Sequence, residues 1–226
     1  MSGKLDISKN RPQISKAKAV QIVSINNSKF VLNEDNLRTV LLNSSIKNKP
    51  LFIISIVGSF RTGKSFLLTN FLKYLGEIDD NDLIKNNGFE WSYGSRTNTK
   101  GIWMWNRPVM IKKDSNEFGI ILMDTQGTFD NMTSQSECAS IFSISTFLSS
   151  LQIYNIKSNL EKTDLEFLNL FSQYGKLNEK FLVNKSERLF QFEQITFLIR
   201  DWQFPDEFNY GFYGGESFLN TRIKVR

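Results

Sequence analysis

The segment from Gly58 to Ser65 has residue types and spacing that suit the binding of a phosphate chain. It reads Gly-Ser-Phe-Arg-Thr-Gly-Lys-Ser and fits the pattern G-x-x-x-x-G-K-[ST]. Glycines let backbone N–H groups approach phosphate oxygens, the lysine supplies a point charge, and the serine hydroxyl suits Mg²⁺. A helix predicted to begin at Phe66 would direct its positive end at the same anion. The nucleotide-binding residues predicted here are Gly58, Ser59, Phe60, Arg61, Thr62, Gly63, Lys64, Ser65 and Phe66.

Arg61 lies inside this loop, so its side chain is predicted to lie beside the bound phosphates. A guanidinium there could fold over the γ-phosphate and stabilise the transition state of phosphoryl transfer, as an arginine finger supplied in cis does. The alternative is an exposed arginine or one held in a salt bridge. The residue types alone leave both interpretations open.

A second motif follows an apolar strand that is predicted over Phe118–Met123. The sequence Asp124-Thr125-Gln126-Gly127 fits D-x-x-G, in which the aspartate holds Mg²⁺ and the N–H of Gly127 senses a γ-phosphate. The next residue is a threonine, not the glutamine that orients water in small GTPases, so Thr97 or nearby backbone groups are predicted to position the water. Thr99 is the best-placed threonine to complete the metal site. The predicted metal ligands are therefore Ser65, Thr99 and Asp124, and the predicted catalytic residues are Arg61, Lys64 and Thr97.

Two segments of the sequence could recognise the base of a bound nucleotide. Residues 184–187 read Asn-Lys-Ser-Glu and resemble N-K-x-D, but they end in glutamate and follow only a short apolar stretch, which favours a helix end. Arg200 and Asp201 directly follow a strand predicted over Ile195–Ile199, so they would lie at the carboxyl edge of the sheet, where ligands of such folds bind. A carboxylate accepts from guanine N1–H and the 2-amino group together, and adenine offers neither donor. Asp201 is therefore the candidate for guanine recognition.

Strands and helices alternate along the chain. Strands are predicted over 19–25, 30–32, 51–57, 151–156 and 195–199, with an antiparallel pair formed by 103–111 and 118–123. Helices are predicted after Asn33 and over 66–75, 136–149 and 160–180, and residues 76–88 are predicted to form a surface loop. This order predicts an α/β fold, a three-layer sandwich of the P-loop NTPase type whose mostly parallel sheet contains one antiparallel pair. Residues 1–17 are predicted to be a flexible arm and residues 18–226 one domain.

Composition excludes several classes of site. The chain has no histidine and a single cysteine, so a disulfide framework, a Cys/His metal site and Ser-His or Cys-His catalysis are excluded. The net charge of +5 suits anionic ligands, but it does not by itself indicate nucleic acid, and no nucleic-acid partner is expected. No apolar run reaches the roughly 18–20 residues of a transmembrane helix, and the first residues lack an apolar signal core. We therefore expect an intracellular chain without a transmembrane segment.

The motifs together resemble a known family. GSFRTGKS, TKGIWMW, LMDTQGTFD and LIRDW occur in the order and spacing of the large dynamin-like GTPases of the atlastin and guanylate-binding protein group. DTQGTFD, SSLQIYN and RDWQFPDEFNYG look atlastin-like, whereas TKGIWMW looks more like the guanylate-binding branch. The resemblance implies a GTPase that hydrolyses GTP to GDP and phosphate with Mg²⁺. It also implies that Arg61 is the intraloop catalytic arginine and that the pair Arg200 and Asp201 replaces N-K-x-D.

The resemblance carries further expectations. Members of the family dimerise through their nucleotide-binding faces, so a nucleotide-dependent homodimer is expected. Atlastins tether and fuse endoplasmic reticulum membranes from the cytoplasmic side, whereas this chain alone would be soluble and cytoplasmic. An atlastin continues beyond the position that matches Arg226, so the G domain is expected to be incomplete at its C-terminal end. Two alternatives are a guanylate-binding-protein-like GTPase and a non-catalytic module that binds nucleotide weakly and interacts with full-length relatives; an ATP-using enzyme is disfavoured by Asp201.

Overall fold

The computed structural model describes residues 6–7, 17–85, 87–91, 99–127, 134–169 and 194–223. Several of the predictions lie outside these residues: the water-positioning role of Thr97, the interpretation of residues 184–187, most of the N-terminal arm, and the helix beyond residue 169.

The described residues contain nine strands, which form one sheet. Their bounds are β1 Asp6–Ile7, β2 Ala19–Asn26, β3 Lys29–Leu32, β4 Leu51–Val57, β5 Ile102–Trp105, β6 Val109–Lys113, β7 Asn116–Thr125, β8 Leu151–Lys157 and β9 Gln194–Arg200. The helices are α1 Glu34–Leu41, α2 Lys64–Tyr74, α3 Asp80–Ile84, α4 Gln135–Leu148, α5 with its described part at 162–169, and α6 Phe212–Ile223. A 3-10 helix spans Ser44–Ile46.

The centre of the sheet is parallel, as the sequence predicts. The main path runs β3-β2-β5-β7-β4-β8-β9, in which β7, β4, β8 and β9 are parallel to their neighbours within this group. The strands β1, β2, β3, β5 and β6 make antiparallel pairings on the other side of β7. Because all four parallel strands end at the same edge, the residues that follow them are brought together there.

Apolar residues of β4 alternate between two faces and fix the layers. Ile54 and Ile56 pack with Leu68 and Leu72 of α2, whereas Ile53 and Val57 face the layer that contains α4. The α4 layer also receives Val40 from α1 and Phe218 from α6. Helices therefore cover both faces, which confirms the predicted three-layer α/β arrangement.

The antiparallel region is more divided than the predicted pair. The predicted strand 103–111 is two strands, β5 and β6, and both pair with β7. Pro108 lies between them and has no N–H with which to continue a ladder. In the predicted flexible arm, Asp6 and Ile7 pair with β6.

The prediction of a surface loop over residues 76–88 is wrong in part. Helix α3 lies within it, capped by the Asp79 side chain, which accepts from the N–H of Asp82. Glu77 and Ile78 are buried, because the segment folds back beneath α2 and reaches Trp105 and Arg107. The burial of these two residues was not predicted, because the surrounding acidic residues and asparagines are typical of an exposed loop.

Candidate functional site

The phosphate-binding motif forms a tight loop between β4 and α2. Gly58 has φ 144° and a Cβ at this position would collide with the carbonyl oxygen of Asn155, so only glycine fits between the loop and β8. Gly63 has φ 73° and is the N-cap of α2. The Thr62 hydroxyl donates to the Ser59 carbonyl at 2.8 Å and closes the loop upon itself. The first turn of α2 therefore faces the space enclosed by the loop, where a helix N-terminus favours an anion.

Lys64 is buried inside this loop. Only 6% of the residue is exposed, and its Nζ donates to the Ser59 carbonyl at 2.9 Å. The pKa of Lys64 is lowered to about 8, mainly because burial disfavours its charged form; the negative charge of Asp124 opposes this shift and the positive charge of Arg200 adds to it. The side chain is an ammonium donor in a site that solvates it poorly, so an anionic ligand would stabilise its charged form.

Three side-chain oxygens meet beside the N-terminus of α2. The Ser65 hydroxyl donates to Asp124 Oδ2 at 2.5 Å and lies 3.1 Å from Thr99 Oγ1, which is itself 3.3 Å from the same carboxylate oxygen. The structure thus brings together all three predicted metal ligands. Hydroxyl and carboxylate oxygens are hard donors, and Mg²⁺ commonly takes only a few of them from protein and the rest from water and phosphate. This donor set fits Mg²⁺.

Asp124 is almost fully buried at the end of β7. Burial raises the pKa of its carboxyl to about 6, although hydrogen bonds from Ser65 and the positive charge of Lys64 act in the opposite direction. A divalent cation would supply the positive charge that favours the ionised carboxylate. Among the described residues, no group of three or more His, Cys, Asp or Glu side chains is arranged so that it could hold a metal ion.

Gly127 brings the second motif against the loop. A Cβ at this position would lie 2.6 Å from the Cα of Phe60 and 3.0 Å from Lys64 Nζ, so a larger residue would displace the loop. The preceding Gln126 is tied to Gly101, because its side-chain oxygen accepts from the Gly101 N–H at 3.0 Å and its own N–H donates to the Gly101 carbonyl at 2.8 Å. The segments that carry Thr99 and Gly127 are therefore held together at their bases.

Arg200 and Asp201 lie at the end of β9, as predicted, and only Arg200 reaches the loop. Its guanidinium lies over Gly63, since a Cβ there would be 3.3 Å from Nη2. Asp201 follows with φ 54° and is exposed at the sheet edge. Asp201 is therefore accessible to solvent at this edge of the sheet.

Arg61 has a different setting from the buried residues of the loop. It is exposed, has φ 62°, and its guanidinium carbon lies 5.5 Å from the centroid of the Phe60 ring. The exposed side chain thus makes a cation–π contact with its neighbour in the loop.

Sequence reasoning assigned no role to Asn155, which the structure places at the centre of the site. Its amide contacts both Thr62 and Arg200. The available signal was an amide near the carboxyl end of the apolar strand β8, which is parallel to the strand that precedes the phosphate loop. The hydrogen bonds depend on contacts 93 and 45 residues apart in sequence, which no local pattern reveals.

None of the helices in the described part of the chain combines the length and the apolar character that a bilayer-spanning helix needs.

Comparison with known proteins shows to which protein family the chain belongs. The family model described as guanylate-binding protein, N-terminal domain, matches residues 27–226. The chain is 37% identical to atlastin-1 of Bos taurus over 96% of its own length, and 39% identical to atlastin of Drosophila melanogaster over 92%. It is 38% identical to atlastin-2 of Macaca fascicularis over 87% of its length. The matched regions cover 39%, 39% and 35% of these relatives, so the chain spans about two fifths of their length.

Proposed function

Because the chain belongs to the atlastin and guanylate-binding protein family of large GTPases, we propose that it binds GTP with Mg²⁺ and hydrolyses it to GDP and phosphate. The observation that carries this proposal is the convergence of buried Lys64, the oxygen cluster around Asp124 and the pair Arg200 and Asp201 at one edge of the sheet. These groups suit, in turn, a phosphate chain, a metal and a guanine base.

The residues of the chain have separate roles in this mechanism. Backbone N–H groups of the loop and Lys64 hold the β- and γ-phosphates, and Asp201 accepts from the N1–H and 2-amino groups of guanine. Ser65, Thr99 and Asp124 would hold Mg²⁺, which when bound neutralises developing charge on the phosphate oxygens. We propose that the N–H of Gly127, which lies against Phe60 and Lys64, donates to the γ-phosphate.

Hydrolysis is an in-line displacement at the γ-phosphorus. A water oxygen forms a bond to phosphorus, the bond from phosphorus to the β,γ-bridging oxygen breaks, and GDP leaves with that bond's electron pair. We propose that Arg61 turns from the Phe60 ring toward this bridging oxygen and stabilises the charge it gains. Thr97, outside the described residues, is our candidate for positioning the water.

The atlastin relatives support a finer proposal about biological context. We propose that GTP binding drives homodimerisation through the nucleotide-binding face, and that this cycle serves membrane tethering at the endoplasmic reticulum. The alternative role, a module that binds nucleotide without hydrolysing it, would be recognised by GTP affinity without phosphate release. Light scattering with a non-hydrolysable GTP analogue and with no nucleotide tests the dimer directly.

Titration calorimetry and phosphate-release assays test the central proposal. The chain should bind GTP more tightly than ATP when Mg²⁺ is present, and it should release phosphate from GTP. Lys64→Ala should abolish binding, whereas Lys73→Ala, on the same helix but in an exposed pair with Asp80, should leave it unchanged. Equal affinity for GTP and ATP would contradict the assignment of guanine recognition.

A further inference from the structure

A single buried amide joins the two halves of the candidate nucleotide site. Asn155 is 1% exposed. Its Nδ2 donates to the Thr62 carbonyl at 2.9 Å and lies 3.0 Å from the Thr62 hydroxyl, while its Oδ1 accepts from Arg200 Nε at 2.9 Å. One end of the planar amide therefore binds the phosphate loop and the other end binds the residue before Asp201.

The bond to Arg200 restricts the whole end of β9. It fixes the guanidinium over Gly63, and the Arg200 main chain is held as well, because its carbonyl accepts from the N–H of Ser158 at 2.6 Å. Asp201 comes next, in a left-handed conformation that begins the turn away from the sheet. The position of its carboxylate thus depends on how firmly Arg200 is held.

An amide is the side chain that suits both contacts at this position. A carboxylate could accept from Arg200 but could not donate to the Thr62 carbonyl, and an apolar side chain could do neither. Gly58 packs against the Asn155 main chain. Asn155 therefore supports the loop at two points: at Gly58 through its main chain and at Thr62 through its side chain. Loss of the amide would leave the buried Thr62 carbonyl and the half-buried Arg200 guanidinium without this partner, which is costly where water has little access.

We propose that Asn155 is a positioning residue for guanine selectivity: it holds the pair Arg200 and Asp201 in register with the phosphate loop. The acceptor side of its amide orients Arg200 and through it Asp201, whereas the donor side shapes the loop around Thr62. This inference rests on the proposed function and extends it, since it names the residue through which base recognition and phosphate binding are linked.

Gln152 provides a matched control on the same strand. It is also 1% exposed and has both ends of its amide satisfied, but its partners are Ser145 and Thr146 of α4, away from the loop. Replacement of either amide by an apolar residue of similar size should lower thermal stability. Only the change at Asn155 should alter which base is preferred.

The experiment compares the unmutated chain with Asn155→Leu and Gln152→Met. Dissociation constants for GTP and ATP are measured with Mg²⁺ by competition against a fluorescent guanine nucleotide, and folding is checked by circular dichroism. Asn155→Leu should weaken GTP binding about 10- to 100-fold and reduce the GTP-to-ATP preference about 10-fold. Gln152→Met should keep both values within about threefold of the unmutated chain while lowering the melting temperature.

A second variant covers the case in which Asn155→Leu does not fold. Asn155→Asp has the same shape and still accepts from Arg200, but it cannot donate to Thr62, so it should weaken GTP and ATP by similar factors and keep the preference. Unchanged GTP affinity in Asn155→Asp, or an unchanged preference in folded Asn155→Leu, would overturn the inference alone. Absence of selective GTP binding by the unmutated chain would overturn the proposed function as well.

Discussion

Two buried charged groups dominate the site at the scale of single residues. Lys64 and Asp124 are both buried. Burial favours the neutral form of each group, so it lowers the pKa of Lys64 and raises the pKa of Asp124. Their opposite charges attract, but the Asp124 carboxylate accepts its hydrogen bonds from two hydroxyls and from the N–H of the next residue, Thr125. Lys64 donates to a backbone carbonyl. Phosphate oxygens and a divalent cation would satisfy these groups better than the protein does, so nucleotide and metal binding should reinforce each other.

Arg61 gives the clearest separation of binding from catalysis. Arg61→Ala should leave GTP affinity within a few-fold, because the side chain is exposed and packs on the Phe60 ring. Turnover should fall by about 10³-fold or more, since a charge beside the bridging oxygen is most effective in the transition state. Phosphate release under saturating GTP measures this, with Arg38→Ala on α1 as an exposed control. Normal turnover in Arg61→Ala would remove the residue from the mechanism.

Asp201 should determine base preference. Asp201→Asn replaces an acceptor of two hydrogen bonds by a group with one acceptor oxygen, so GTP affinity should fall about 10- to 100-fold. Xanthosine triphosphate should then bind more tightly than GTP, because its carbonyl at position 2 can accept from the new amide. Calorimetry with both nucleotides measures the reversal, and Asp206→Asn, an exposed change in the same segment, should not produce it.

At the scale of elements, α2 is held at both ends. Its N-terminus forms the phosphate loop, and the segment after its C-terminus carries Glu77, whose carboxylate accepts from Arg107 Nε at 2.7 Å and from Trp105 Nε1 at 3.4 Å. Glu77 is nearly fully buried, with 4% of its side chain exposed. The helix is therefore anchored to the end of β5 and to the turn that follows it, at the end farthest from the candidate nucleotide site.

Removing the cation of this pair should destabilise the fold more than it changes binding. Arg107→Ala removes a cation that donates to the buried Glu77 carboxylate, which should lower the free energy of unfolding by about 2–3 kcal/mol. Chemical denaturation followed by fluorescence measures the loss. Lys49→Ala, which breaks the half-exposed pair with Glu117, should have a much smaller effect. Equal losses of unfolding free energy in the two variants would show that the burial of Glu77 does not increase the contribution of its ion pair to stability.

The elements that carry motifs were predictable and those that depend on distant partners were not. The strand 51–57 matches β4, and the predicted helix 66–75 matches α2 apart from its first turn, because an apolar run and a glycine-rich loop specify each locally. Helix α6 was not predicted, since its inward residue Phe218 is recognised only by its contacts with Trp202 and Phe208. Asn155 was missed for the same reason: its role lies in contacts across the sheet.

At the scale of the whole molecule, the buried site makes stability depend on pH. The pKa of Asp124 is raised from 3.8 to about 6, so the folded chain holds a proton that the unfolded chain releases near pH 4, and the contribution of this group falls as pH rises from 4 to 6. The pKa of Lys64 is lowered from 10.5 to about 8, so its contribution rises with pH between 8 and 10.5. Between about pH 6 and 8 the ligand-free chain should gain least from this pair.

The variant Asp124→Asn tests that dependence. Without metal or nucleotide, and with EDTA present, the melting temperature of the variant minus that of the unmutated chain should increase by a few degrees from pH 4.5 to 6.5. The subtraction at each pH removes the contribution of other titrating groups that the two chains share. A difference that stays constant across this range would contradict the assigned environment of Asp124.

The outline of the fold was predictable because the sequence motifs follow strands whose carboxyl ends meet at one edge of the sheet. Ser65, Asp124 and Arg200 follow or end separate strands, so the α/β order alone indicated that they would meet. The division of β5 from β6 and the burial of Glu77 were not predictable, because both depend on how the antiparallel region folds against α2. The sequence was thus most informative where function and local pattern coincide.

Trp202, which packs among aromatic residues just after β9, is an intrinsic fluorophore close to Asp201. Its indole N–H donates to the Phe208 carbonyl at 3.0 Å and its ring packs edge-on against Phe204 and Phe218. Trp103 lies near the other end of the site, where its indole donates to the Lys100 carbonyl, next to Thr99. Indole emission responds to the polarity of its surroundings, so the chain contains intrinsic fluorophores beside the proposed base-recognition end and the proposed metal-binding end of the site. Occupation of the two ends could therefore be timed separately in single-tryptophan variants without an added dye.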